Sequence, residues 1–186
     1  MLNKCNAIRN TVMVALLVLG SGELFAQTTT GVINATLVNK SGITLVFDTD
    51  AGGVALVNSG TSAASVNFNI VSAFGPLSAG VTRPSVTAGN YTVRTIFDVN
   101  VIEGGLASAN YTLTANLAAV APTGFSYQID AVTLTTAAQT VTTNGTYNAD
   151  VAHNLSLVIS SAAPGAGGPA VGVPISSTIN FTATAN

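Results

Sequence analysis

Few side chains in this sequence could carry out catalysis, and His153 is its only histidine. Asp150, His153 and Ser156 follow one another at three-residue intervals and have the residue types of a hydrolase triad. In an extended strand, residues three apart point to opposite faces and lie about 10 Å apart, whereas a nucleophile needs its base within about 3 Å. The sequence also has no nucleophile elbow, phosphate-binding loop or cysteine cluster. We therefore predict a protein that is not an enzyme and binds no cofactor.

The segment that begins at Asp48 has the first two acidic residues of a calcium-binding loop, Asp48 and Asp50. An EF-hand loop needs an oxygen ligand at its fifth position and a glutamate at its twelfth, where this chain has Gly52 and Ser59. We expect a solvated turn and no metal, with a loose Ca²⁺ site at Asp48 and Asp50 as the alternative. A weaker calcium candidate near a glycine turn consists of Asp98, Asn100 and Glu103.

Charge is nearly absent beyond residue 26, where three basic residues face six acidic ones. An ordinary globular protein is about a quarter charged. So few cations cannot neutralise a run of phosphates, and we predict no nucleic-acid partner. The chain has no Trp, and Tyr91, Tyr111 and Tyr127 fall on apolar faces of predicted strands. We expect these tyrosines in the core, so a glycan partner has no support from them.

The N-terminal residues have the layout of a secretory signal peptide. Lys4 and Arg9 precede an apolar run at residues 11–19, and cleavage is predicted between Ala26 and Gln27. The apolar run has about half of the ~20 residues of a membrane span, and we predict no transmembrane segment after the signal is removed. The single cysteine, Cys5, lies in the removed part, which leaves no disulfide. We expect an exported protein in the periplasm, on the cell surface or outside the cell.

Alternation of apolar with polar residues predicts strands along the remaining chain. The clearest alternating segments are residues 43–47, 65–70, 91–102, 111–119, 125–134, 155–160 and 178–186. We expect residues 91–102 and 111–119 to form a hairpin around Glu103-Gly104-Gly105. Asn144-Gly145 predicts a second hairpin, and the change of phase at Asp130-Ala131 predicts a β-bulge or a strand that changes sheets.

Nine or ten short strands without a helical apolar stripe predict an all-β fold in a single domain over residues 27–186. An antiparallel β-sandwich, immunoglobulin-like or pilin-like, is the expected architecture, and a closed β-barrel is the alternative. Residues 162–174, rich in Pro, Gly and Ala, are expected to form a loop before a C-terminal strand at 175–186. That strand can pair with a strand of its own chain or with a strand of a neighbouring subunit. The apolar residues of this candidate assembly strand are Ile179, Phe181, Ala183 and Ala185.

The signal peptide, the strands of Thr, Asn, Ala and Val, and the alternating residues 179–186 resemble bacterial exported β-sandwich subunits of fimbrial or spore-coat type. Many such subunits contain a disulfide, which this chain cannot form after cleavage, and this counts against chaperone-assisted pilus assembly. The resemblance implies a secreted or surface-displayed protein with a structural or adhesive role. Such a protein would self-assemble by strand exchange or contact other surface proteins. The alternative is a monomeric extracellular domain that binds a glycan or another ligand.

Overall fold

The computed structural model describes residues 42–161, 163 and 174–186, which form nine strands and no helix. The strands are β1 (Ile43–Asp48), β2 (Thr82–Val86), β3 (Asn90–Glu103), β4 (Tyr111–Leu117), β5 (Phe125–Ile129), β6 (Val132–Thr133), β7 (Gln139–Gly145), β8 (Asp150–Ser160) and β9 (Ile179–Ala185). The predicted signal peptide, its cleavage site and most of the predicted loop at 162–174 lie outside the described residues.

The described strands form two antiparallel sheets that pack against each other, which confirms the predicted β-sandwich. The six-stranded sheet has the order β1-β3-β8-β5-β6, and β2 also pairs with β3. The three-stranded sheet has the order β7-β4-β9. These two sheets are separate, so the described strands do not close into the single barrel that was the alternative.

The core lies between the sheets and follows the alternation seen in the sequence. In β3 the odd-numbered residues from Val93 to Val101 are buried, and in β4 those from Tyr111 to Leu117 are buried. Three phenylalanines join the two layers: Phe181 of β9 lies 5.1 Å from Phe47 and 6.0 Å from Phe97, measured between ring centroids. Burial of such large apolar side chains is the main stabilising term of a sandwich that has no disulfide.

The hairpin predicted from residues 91–102 and 111–119 is wrong, because β3 and β4 lie in different sheets. Glu103 does start a turn, and its Oε2 accepts hydrogen bonds from the backbone N–H groups of Gly105 at 2.7 Å and Leu106 at 2.8 Å. That turn begins a connection between the sheets. The pairing of β3 is made instead with β8, in unbroken register from Asn90↔Ser160 to Asn100↔Asp150.

The hairpin predicted at Asn144-Gly145 is also wrong. Strand β7 continues through Gly145 and pairs with β4, while β8 belongs to the other sheet. Gly145 lies directly under the ring of Tyr111, where a Cβ atom would overlap the ring carbons. The glycine therefore makes room for a buried tyrosine, and the turn that follows uses Asn148 in the left-handed conformation, with φ 57°.

Asp130 and Ala131 form a two-residue hairpin turn between two strands of one sheet, so neither the predicted bulge nor the predicted change of sheet occurs. Ile129 pairs directly with Val132, and both turn residues have positive φ, 48° for Asp130 and 71° for Ala131. Positive φ at both central positions defines the type I′ turn, whose twist suits a tight hairpin. The change of apolar phase at this point reflects the reversal of the chain.

The strand predicted at residues 65–70 is absent, because the chain between β1 and β2 is irregular. Its only ladder contacts are the isolated bridges Phe47↔Thr61 and Val57↔Ser65. Val66 and Phe68 still pack against the core, whereas Ile70 is 81% exposed. The alternation here marks side chains that touch the core from an irregular segment.

Candidate functional site

The structure places the candidate assembly strand β9 in its own chain, beside β4. The register is continuous from Tyr111↔Ala185 to Leu117↔Ile179. Ile179, Phe181 and Ala183 pack against the core. The four apolar residues named from the sequence therefore lie on one strand, where three of them pack on the inner face and Ala185 is exposed.

The backbone of β9 presents hydrogen-bonding groups to the side away from β4. The N–H of Ala118 donates to the carbonyl of Thr178 at 2.9 Å, and the N–H of Asn186 donates to the carbonyl of Asn110 at 3.1 Å. Because bonded and non-bonded pairs alternate along an antiparallel ladder, the even-numbered residues of β9 bond to β4. The N–H and C=O groups of the odd-numbered residues point to the outer edge, where no described residue pairs with them. These odd-numbered residues are Ile179, Phe181, Ala183 and Ala185.

Folded proteins usually protect a strand edge with charge, proline, irregularity or a covering segment. The edge of β1 is covered, since the N–H of Phe47 donates to the carbonyl of Thr61 at 2.9 Å. Strand β2 contains Pro84, β6 has two residues, and β7 has two register shifts. Strand β9 has seven residues without charge, proline or register shift. Among the described strands it is the edge best suited to pair with another chain.

Four acidic residues form a patch at the outer face of the six-stranded sheet: Asp48, Asp50, Asp98 and Asp150. Asp48 and Asp98 are direct cross-strand partners, and Asn100 donates to the Asp150 carboxylate at 2.9 Å. Burial raises the pKa of Asp98, and the charges of Asp50, Asp150 and Asp48 raise it further, while His153 opposes them. This patch repels its own charges, and the sequence did not reveal it because its members are distant along the chain.

The described calcium candidates do not assemble into a metal-coordinating group. Asp50 accepts a hydrogen bond at 2.6 Å from the N–H of Gly52, two residues away, and the Asp48 carboxylate accepts one at 3.3 Å from the Ser59 hydroxyl. Glu103 is engaged by its own turn. Within residues 42–161, 163 and 174–186, no three acidic, histidine or cysteine side chains are placed to hold a metal ion together.

His153 lies on the inner face of β8, opposite Phe97, whereas Ser156 lies on the outer face, opposite Arg94. Arg94 donates to the Ser156 hydroxyl at 3.1 Å. The imidazole Nδ1 of His153 instead lies 2.5 Å from Asp130 Oδ2. The spacing argument against a triad at Asp150, His153 and Ser156 therefore agrees with the geometry.

The Asp130–His153 pair escaped prediction because 23 positions separate its members. Asp130 also accepts a hydrogen bond at 2.7 Å from the backbone N–H of Asn154. A carboxylate that orients an imidazole is part of many general-base sites, but His153 is 2% exposed and its Nε2 has no hydrogen-bond partner among the described residues. This pair ties the β5–β6 turn to β8, and no described nucleophile lies at its free nitrogen.

The tyrosines do not form an exposed platform for stacking a sugar. Tyr111 is fully buried and Tyr127 is 8% exposed. Tyr147 is half-buried against Tyr111, with 5.2 Å between ring centroids, and Tyr91 is half-buried at the edge of the core. Burial raises the pKa of both Tyr91 and Tyr111. All four rings therefore contribute to packing.

Comparison of the chain with protein-family models, with curated proteins and with solved structures gives no significant match. In the part of the chain that the structure describes, no helix has the length and hydropathy needed to span a membrane.

Proposed function

We propose that this protein is an exported, surface-displayed bacterial protein with a structural or adhesive role, and that it self-associates through β9. The observation that carries the proposal is the regular, uncharged outer edge of β9. An unpaired row of N–H and C=O groups is a template for a strand of another chain. The resemblance to fimbrial and spore-coat subunits supports the same class of function.

The outer face of the three-stranded sheet is also suited to close contact between copies. Its cross-strand pairs are Thr112↔Thr184, Thr114↔Thr182 and Asn116↔Asn180. Strands β4, β7 and β9 contain no charged residue, so contact there does not desolvate an ion. A surface that is polar but uncharged can therefore associate at low electrostatic cost.

Two geometries would use β9. In the first, its outer edge adds to a sheet of a second copy. In the second, β9 is domain-swapped: it detaches from β4 of its own chain and pairs with β4 of a second copy. The contacts made within one chain are then made between two chains. The contact of Phe181 with Phe47 and Phe97 would then form between subunits.

The first experiment measures the mass of residues 27–186 by light scattering over a range of concentrations. Ala183→Pro removes an outward N–H without removing a bond to β4, so we expect this variant to remain monomeric if edge addition operates. Ala183→Val is the matched control, because it adds a side chain of similar size and keeps the N–H. We expect it to associate like the parent protein. A parent protein that is monomeric at every concentration would refute self-association.

A second experiment separates exchange from edge addition. Thr114 and Thr182 are direct partners on the outer face, and Cα atoms of such bonded pairs lie about 5.5 Å apart, within the range of a disulfide. The double variant Thr114→Cys with Thr182→Cys is oxidised and run on a non-reducing gel. Covalent dimers indicate exchange, whereas covalent monomers that still associate indicate edge addition.

A further inference from the structure

The inner face of the six-stranded sheet borders a cavity of about 1290 Å³. Strands β3, β5 and β8 contribute Thr95, Tyr127 and Leu157, among others, to its lining. The irregular segment 64–73 and the residues from Pro174 to Phe181 supply the remaining walls. The cavity is partly open to solvent, and its volume is large enough to hold a small molecule.

The wall formed by the irregular segment is held in place. Arg83 donates hydrogen bonds to the carbonyl oxygens of Ser72 at 2.9 Å and of Gly75 at 2.6 Å. The N–H of Gly75 in turn donates to the Ser72 hydroxyl at 2.7 Å. A guanidinium that satisfies two carbonyls fixes this turn strongly, which keeps the cavity from closing by local collapse.

The described lining is mainly apolar and aromatic, with Ser, Thr and Asn side chains among it, and it contains no charged side chain. The Thr95 hydroxyl already accepts the N–H of Val54 at 2.8 Å. Tyr91 and Tyr127 line the cavity, and their phenol hydroxyls make no hydrogen bond to another described residue. Apolar walls with a few polar groups are the usual lining of small-molecule sites.

We propose that this cavity binds an uncharged, mainly apolar molecule, of the class of neutral amphiphiles with an alkyl chain and a hydroxyl head. The alkyl chain removes apolar surface from water, and the hydroxyl can pair with a tyrosine phenol. An ionised head is disfavoured, because no charged side chain lines the described part of the cavity and burial of an unpaired charge is costly. The Arg83 guanidinium lies near Tyr91, but it already donates to two backbone carbonyls. Ile179 and Phe181 of β9 line this cavity with their side chains. The proposed edge addition would use the outward N–H and C=O groups of the same strand, so the two proposals depend on different atoms of β9.

The test uses N-phenyl-1-naphthylamine, an uncharged dye whose fluorescence rises in apolar surroundings, with the chain of residues 27–186. We expect a saturable rise, displaced by 1-dodecanol. Dodecanoate has the same chain length and an ionised head, and we expect it to compete at least about tenfold more weakly, which corresponds to about 1.4 kcal/mol. Absence of dye binding would overturn the proposal, and equal competition by dodecanoate would overturn the uncharged class.

A matched pair of variants locates the dye. Ala73 is half-buried in the cavity lining and Ala88 is exposed outside it. We expect Ala73→Trp to weaken dye binding by about tenfold or more, and Ala88→Trp to leave it unchanged. Ala64→Trp, at a second lining position, replaces Ala73→Trp if thermal melting shows that the first variant is unfolded. Equal dye binding by a folded lining variant and the Ala88→Trp control would show that the dye binds elsewhere.

Discussion

At the scale of single residues, the electrostatic surroundings of Asp98 and His153 are set by residues of other strands and turns, and not by their neighbours in sequence. Asp98 is repelled by carboxylates that arrive from β1, β8 and the loop after β1. His153 of β8 contacts Asp130, which lies in the turn between β5 and β6. Neither relation is visible in the sequence, because both depend on strand order. At this scale the sequence predicts only that Asp150, His153 and Ser156 form no catalytic triad. The two-residue period of a strand separates His153 from Ser156, and the structure places them on opposite faces.

The raised pKa of Asp98 predicts a change of stability with pH. Its carboxyl is protonated in both folded and unfolded chains in strong acid, and its contribution is lost as the pH rises through the raised pKa. We expect Asp98→Asn to increase stability at pH 7 by roughly 0.2–1 kcal/mol, as expected for relief of a cross-strand like-charge pair, or up to about 4 °C in Tm. Thermal melting at about pH 7 and about pH 3 checks this. The same gain at both pH values would show that charge is not the cause.

At the scale of elements, the alternation of apolar residues predicted where most strands run but not what they pair with. Alternation predicts a strand at residues 91–102, and β3 covers them. The predicted hairpin partner was wrong, because two alternating segments close in sequence can bury their apolar faces equally well from opposite sheets. The Asn-Gly signal failed for another reason, since Gly145 is required by the ring of Tyr111. A glycine thus reports a close approach as readily as a turn.

Gly145 and Gly89 provide a test of that reason. A Cβ atom at Gly145 would overlap the fully buried ring of Tyr111, while a Cβ atom at Gly89 meets nothing within 4 Å. We expect Gly145→Ala to destabilise the protein by about 1–3 kcal/mol, as overpacking of a core does. Gly89→Ala should be neutral or stabilising by up to about 1 kcal/mol. Urea unfolding of both variants measures the difference, and equal effects would contradict the packing explanation.

At the scale of the whole molecule, the uncharged composition has a structural counterpart in the three-stranded sheet. All strands of that sheet lack charge, whereas the acidic patch belongs to the other sheet. Composition alone predicted an uncharged surface, but the separation of charge between two sheets depends on which strands each sheet contains. The cavity could not be predicted either, because one of its walls is the irregular segment 64–73. Alternation at residues 65–70 predicts a strand there.

An interface without ions should respond weakly to salt. Screening weakens interactions between exposed charges, with a Debye length of about 10 Å at 0.1 M and about 3 Å at 1 M ionic strength. We expect the association constant measured by light scattering to change less than about threefold between these salt concentrations, since β9 brings no charge to the contact. A tenfold loss of association in high salt would show that the charged residues of the six-stranded sheet form the interface.

The strand order also governs how fast this chain reaches its native state. Hairpins β2–β3 and β5–β6 pair strands that are adjacent in sequence. In contrast, β3 pairs with β8 and β4 pairs with β9, and these strands are far apart in sequence. Proteins dominated by such distant pairings fold in milliseconds to seconds, at the slow end of two-state folding. A chain that folds on this timescale stays unfolded for longer, and an unfolded chain is the form that passes through a translocation channel, which suits the secretory signal predicted at its N-terminus.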